Sequence, residues 1–275
     1  MRSYARPQTL DEAIGLIAQA PRRILAGGTD LYPAAGAQLD GDVLDLTGIP
    51  ALCGMMRGDG LRIGACTTWT AIAEADLPPV LRCLQQAARQ VGGRQVQNAG
   101  TIGGNLCNAS PAADGVPPLL ALDAGVELSG PSGTRQLPLA QFLTGPRQTR
   151  RAADEVLTAV ILPQAALQGQ SAFVKLGARA YLVISIAMVA ARVEVTSGRI
   201  CAAAVAVGAC SGVAQRLPMV EAALIGATAS DGPGRIRAAD LAAVLSPIDD
   251  VRATAAYRLA AATELVRRAV REALA

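Results

Sequence analysis

Histidine is absent from all 275 residues. This removes imidazole metal ligation, a histidine general base and any Ser-His or Cys-His nucleophilic pair from the chemistry open to the chain. Cysteine is scarce and scattered: Cys53, Cys66, Cys83, Cys107, Cys201 and Cys210 form no C-x-x-C pair or other close ligand spacing. Neither an iron–sulfur cluster nor a structural zinc is therefore expected on this polypeptide, and no catalytic or metal-ligating residue is assigned to it. Spread singly, the cysteines read as small buried hydrophobes in a reducing compartment rather than as a disulfide framework. Charge is thin, at 17% of residues, and the net +3 comes from scattered basic side chains. No nucleic-acid-binding stripe or polybasic patch emerges. The most apolar run, Ala180 to Ala191, falls well short of the roughly 20 residues that span a bilayer. The opening Met1 to Pro7 meets a helix-start pattern without the apolar stretch of a secretory signal, so a cytoplasmic protein with no membrane association is expected.

What is plentiful is apolar surface to bury, with 51% hydrophobic residues and a mean hydropathy of +0.33, which argues against disorder. Thr9-Leu10-Asp11-Glu12 fits a capping box opening a helix that ends before Pro21. Strand-like Ile24 to Ala26 breaks at Gly27-Gly28, and Val43 to Leu46 resumes it. Leu61 to Ala65 reads as a strand, Thr67-Thr68 as a turn, and two helical stretches follow, the second from about Val80 to Val91 before Gly92-Gly93. Ser110-Pro111 reads as an N-cap with proline in the first helical position. Val126 to Leu128 and Gln136-Leu137, joined by Gly130 to Gly133, read as a hairpin. The composition turns polar and small around Gln164 to Gln170. Beyond it Phe173 to Lys175, Leu182 to Val195 and Ile200 to Val207 predict an antiparallel sheet. An apolar stripe at Val251, Ala255, Leu259, Ala262, Val266, Ala269 and Ala273, with arginines opposite, predicts a long amphipathic helix.

Two segments stand out, Ala26-Gly27-Gly28-Thr29-Asp30-Leu31 and Thr101-Ile102-Gly103-Gly104-Asn105. Paired glycines remove the Cβ atoms that would hold a phosphate away, permit positive φ, and let successive backbone N–H groups converge on an anion. Each pair has a threonine beside it whose hydroxyl can donate to a phosphate oxygen. The dinucleotide fingerprint G-x-G-x-x-G and the phosphate loop G-x-x-x-x-G-K-[ST] are both missing, so a nucleotide held here needs a different architecture.

On these residues the chain resembles the FAD-binding medium subunit of the xanthine dehydrogenase and carbon monoxide dehydrogenase (molybdenum hydroxylase) family. The likeness extends to Thr-Ile-Gly-Gly-Asn-Leu-Cys-Asn-Ala-Ser-Pro-Ala-Ala-Asp at 101 to 114, the opening Tyr4 to Pro7, Gly64-Ala65 with Thr67-Thr68, Lys175 to Arg179, and Leu245 to Asp250. It implies an α+β protein with the FAD-binding fold of the vanillyl-alcohol oxidase type. Two α/β subdomains, 1–53 and 54–167, would hold FAD between them, and residues 168–275 would pair an antiparallel sheet with helices. It also implies an oxidoreductase subunit that takes electrons from two [2Fe–2S] clusters on a small subunit and passes them to a terminal acceptor. A large subunit would carry the molybdenum cofactor, and the assembly would be a dimer of heterotrimers. The alternative is a stand-alone flavin dehydrogenase or oxidase of the same fold.

Carried over by position, the resemblance sets Ile24, Leu25, Ala26, Gly27, Gly28, Thr29, Asp30, Leu31, Thr101, Ile102, Gly103, Gly104 and Asn105 around the diphosphate. Asp114 would accept hydrogen bonds from cofactor hydroxyls, and Leu157, Lys175 and Tyr181 would lie towards the flavin. Lys175 is the only lysine in the chain; an ammonium near the ring would stabilise negative charge on the reduced form. Its other reading is a solvated strand-end lysine. Asp114 just inside a helix start also suits the helix dipole alone. Asp30 is expected to cap backbone N–H groups, Tyr181 to be either a ring neighbour or core, and Trp69 to be core. Relatives often carry Asp where this chain has Val183, so no acceptor-handling acid is expected there.

Overall fold

The computed structural model describes residues 3–36 and 39–275; Met1 and Arg2 of the opening segment lie outside them. The N-terminal part contains β1 (Tyr4–Ala5), α1 (Leu10–Gln19), β2 (Arg23–Leu25) and β3 (Val43–Asp45), with the strands parallel in the order β1-β3-β2. The Thr9 hydroxyl accepts the Glu12 amide, as a capping box requires, while the Glu12 carboxylate accepts the amide of Gln8. Helix α1 then buries Ala13 and Ile17 in a cluster with Leu44, Leu46, Ile49 and Leu52. The Tyr4 hydroxyl and the Thr47 amide and hydroxyl all donate to Asp45. Burial alone would raise the pKa of this carboxyl, but these hydrogen bonds outweigh it and hold the pKa below the usual range.

Next come β4 (Met55–Gly58), β5 (Gly60–Gly64), α2 (Trp69–Glu74), α3 (Arg82–Ala88), α4 (Arg94–Ala99), α5 (Ile102–Asn108) and α6 (Val116–Ala121). The hairpin β6 (Gly125–Gly130) and β7 (Gly133–Pro138) follows, then α7 (Leu139–Phe142), the two-stranded β8 (Leu143–Gly145) and β9 (Gln148–Thr149), and β10 (Val156–Leu162). The main sheet is antiparallel in the order β4-β5-β10-β6-β7. Its core gathers Ile63, Trp69, Ile72, Leu84, Ile102, Leu106 and Val126.

The C-terminal part is an antiparallel sheet of β11 (Gln170–Leu176), β12 (Ala187–Thr196), β13 (Arg199–Gly208) and β14 (Gln215–Arg216), with α8 (Pro218–Leu224), α9 (Ala238–Ala242) and α10 (Ala255–Ala273). Ser197 and Gly198, at φ 51° and 73°, make the two-residue turn between β12 and β13. Ala262, Val266, Ala269 and Ala273 of α10 are buried as their spacing predicts, together with Leu265 and Val270. The whole is α+β.

Several local expectations fail for identifiable reasons. No helix starts at Pro111: Ser110 accepts the amide of Ala112 in a tight turn, and the helix begins only at Val116, so Asp114 precedes it. The helix expected from Val80 to Val91 is a 3-10 turn followed by Arg82–Ala88. The strand expected from Leu182 begins at Ala187, because Leu182 adopts φ 50° and Ser185 turns aside to donate to Asp114. Val251 is fully exposed ahead of α10, while Arg258, expected on the solvent side with the other arginines, is only 1% exposed. Cys66, Cys83 and Cys210 are buried, but Cys53 and Cys201 are not. Burial pushes the Cys66 thiol up to about 12, leaving it neutral and unreactive at ordinary pH.

Candidate functional site

The two glycine turns line one cleft. A Cβ on Gly27 would overlap the carbonyl oxygen of Ala99 and lie 2.7 Å from Gly100 Cα, directly before Thr101. Only glycine allows the first turn to press against the end of α4, and this approach closes one wall of a cleft of about 900 Å³. Gly28 sits at φ 70°, a left-handed conformation, and a Cβ there would overlap the ring of Tyr32.

The cleft wall contains Ile24, Ala26, Gly27, Gly28, Thr29, Asp30 and Leu31 from the first turn, Thr101, Gly103, Gly104 and Asn105 from the second, and Leu157 from β10. Leu25 and Ile102 face inward instead, at 6% and 0% exposure, and support the wall from behind. Among the described residues, the amides of Gly27 to Leu31 donate to no protein acceptor, so five donors are free to meet an anion. The Asp30 carboxylate, expected to cap this turn, makes no hydrogen bond among the described residues; the contact at Asp30 is its backbone carbonyl, which accepts the Ala34 amide.

The second turn works differently from its expected design. It is the first turn of α5, capped by Thr101, and its amides are occupied: Ile102 donates to Thr67, Gly103 to Ala65, Gly104 to the Thr101 hydroxyl and Asn105 to the Thr101 carbonyl. Neither Gly103 nor Gly104 has positive φ. Gly103 is required because a Cβ there would sit 2.7 Å from Ala65 O and Ala65 Cβ. The segment thus contributes shape and one polar side chain. That side chain is Asn105, whose Oδ1 is buried and has no hydrogen-bond donor. An acceptor left bare in this way calls for a donor that the protein does not supply, from water or from a ligand.

Sequence reasoning missed several wall residues. Arg22, Arg23, Arg147 and Arg151 ring the cleft with positive charge, and Trp69, Val91 and Val96 give it apolar surface. Arg147, at φ 61°, is fixed by bonds from its guanidinium to Asn108. Trp69 is core, as expected, yet also reaches the wall. Amides without a protein acceptor and nearby guanidinium charge for a diphosphate, a bare acceptor for a hydroxyl and apolar walls for aromatic rings together match the groups FAD needs.

Asp114, Lys175 and Tyr181 do not line the cleft. Lys175 Nζ donates to Asp114 Oδ2 at 2.7 Å and to the carbonyl of Gln90 at 3.1 Å, one residue before Val91 of the wall. Ser185 donates to the other carboxylate oxygen at 2.6 Å. With side chains 5% and 10% exposed, Lys175 and Asp114 are a buried pair, which overturns the solvated-lysine reading. Burial pushes the Asp114 carboxyl up, and the lysine and serine offset that only in part. Tyr181 is 82% exposed, so it is not core. Val183 packs against Gly177.

Residues 1–165 match the model of the FAD binding domain in molybdopterin dehydrogenase, and residues 172–273 that of the CO dehydrogenase flavoprotein C-terminal domain. The chain is 33% identical to the nicotine 6-hydroxylase medium subunit of Paenarthrobacter nicotinovorans, over 98% of this chain and 96% of that one. It is 37% identical to the nicotinate dehydrogenase FAD-subunit of Eubacterium barkeri, over 76% and 74%. Its fold is similar to a chain of the reconstituted CO dehydrogenase from Oligotropha carboxidovorans, with a TM-score of 0.90, 26% identity and coverage of 100% and 98%. Among the described residues no helix is long and apolar enough to cross a membrane.

Proposed function

This chain belongs to the FAD-binding medium subunits of the xanthine dehydrogenase and carbon monoxide dehydrogenase family, and from that premise we propose that it holds one FAD, non-covalently, in the cleft closed by Gly27 on Ala99. The amides of Gly27 to Leu31 and the surrounding arginines bind the diphosphate. Asn105 Oδ1 accepts from a cofactor hydroxyl. Trp69, Val91, Val96 and Leu157 exclude water from the ring system, and Ile24, Leu25, Ala26, Thr101, Ile102, Gly103 and Gly104 set the shape of the cleft. Bound FAD supplies a carrier that takes electrons singly and gives them up as a pair. Lys175 and Asp114 hold a fixed dipole behind Val91.

Electrons arrive from [2Fe–2S] clusters of a small subunit and leave to a terminal acceptor, while oxidation of the organic substrate belongs to a large molybdenum-cofactor subunit. The assembly is a dimer of heterotrimers in the cytoplasm. The reading is supported most by the approach of Gly27 to Ala99 and Gly100, which brings both glycine turns into the wall of one cleft. Titrating FAD into the purified chain while following the fluorescence of Trp69, the single tryptophan, tests it. Saturable quenching at one FAD per chain is expected. A full-strength signal at every FAD concentration counts against it. Candidate substrates added to the loaded isolated chain leave the flavin oxidised; bleaching would favour the stand-alone oxidase.

A further inference from the structure

Arg258 is the most buried charged residue among those described, at 1% exposure, and lies at the start of α10, far in sequence from either glycine turn. Its guanidinium donates to the carbonyls of Ile186 at 2.6 Å and Ala209 at 3.0 Å, and to Asp250 Oδ1 at 2.7 Å. Burying this charge is costly unless it is paired and hydrogen-bonded; Asp250 pairs it, its two terminal nitrogens are bonded while Nε is left without an acceptor, and the two carbonyls it selects are not arbitrary. Ile186 follows Ser185, the donor to Asp114 Oδ1, and its amide closes the 177–185 loop by donating to Leu176, the neighbour of Lys175. Ala209, held at φ 61°, donates its own amide to Pro111, in the turn that leads to Asp114. One guanidinium therefore grips both chain segments that converge on that carboxylate.

We infer that Arg258 is a positioning residue: it sets the geometry of the Asp114–Lys175–Ser185 cluster from the C-terminal helix, with Asp250 as its counter-charge. Its bearing on the cofactor rests on the reading that this cluster stands behind the FAD cleft. The role also accounts for the Asp249-Asp250 pair ahead of α10. Asp249 caps the helix by accepting the Ala255 amide, and Asp250, kept in place by the amides of Arg252 and Ala253, balances the buried charge.

Hydrogen exchange of the full-length chain tests this, followed peptide by peptide over 110–115 and 177–186, with β12 as the internal control. Arg258→Met raises exchange in both segments roughly tenfold, Arg258→Lys restores part of the protection, and Asp250→Asn gives the smallest rise. The visible circular dichroism of bound FAD shifts in the same order. Ser185→Ala reproduces the dichroism change without opening the base of the loop at Ile186. Folded Arg258→Met with wild-type exchange at 177–186 overturns the inference. If Arg258→Met does not fold, unchanged exchange in Asp250→Asn overturns it equally. Loss of protection with unaltered FAD affinity and dichroism supports the clamp and counts instead against the nearness of Asp114 to the cofactor.

Discussion

The same dipeptide, Gly-Gly, is used twice beside the cleft for opposite purposes. At Gly27-Gly28 the chain leaves its strand, and the amides from Gly27 to Leu31 have no protein acceptor among the described residues. At Gly103-Gly104 the chain has already entered α5, and every amide from Ile102 to Asn105 is spent inside the protein. The first turn is a set of waiting donors. The second is a smooth wall, where the missing Cβ atoms matter more than the N–H groups. A glycine pair in a sequence therefore signals close approach, and only the hydrogen-bond inventory tells whether it also offers donors.

Substitutions sharpen this contrast. Gly27→Val drives a side chain into Ala99 and Gly100; FAD affinity should fall at least about a hundredfold, roughly 2.8 kcal/mol, in the Trp69 fluorescence titration. Gly103→Val meets Ala65 behind the wall and should cost about 1–3 kcal/mol of folding stability, seen in denaturant unfolding, with a smaller loss of FAD affinity. Asn105→Ala removes an acceptor that has no protein donor. It should leave the FAD-free chain at least as stable as wild type yet weaken FAD binding by about tenfold, as loss of a buried hydrogen bond does. Gly104→Ala touches only the Thr101 cap at 2.9 Å and should cost about 1 kcal/mol or less in a thermal melt. If Gly104→Ala proved as harmful to binding as Gly27→Val, the contrast between the two turns would collapse.

Much of this was legible in the sequence because it depends on local chemistry. The α1 cap at Thr9, the β6–β7 hairpin, the Ser197-Gly198 turn and the stripe of α10 all follow from residue type and period. The glycine turns were found for the same reason. What escaped depends on partners distant in the chain. Arg258 has the appearance of one more solvent-facing arginine until Ile186, Ala209 and Asp250 surround it. Arg22 and Arg147 approach the cleft from segments more than 100 residues apart, and nothing local distinguishes them from the other arginines. The helix expected at Pro111 failed because Ser110 serves equally well as a turn residue, a choice that Asp114 and its partners decide.

Amide exchange of the two turns, measured with and without FAD, tests the central claim most directly. The amides of Gly27 to Leu31 should exchange freely in the FAD-free chain and become protected on binding, while those of Ile102 to Asn105 should be protected in both states. If Gly27 to Leu31 exchange at the same rate with FAD bound, the first turn does not hold the diphosphate and the account of the cleft is wrong.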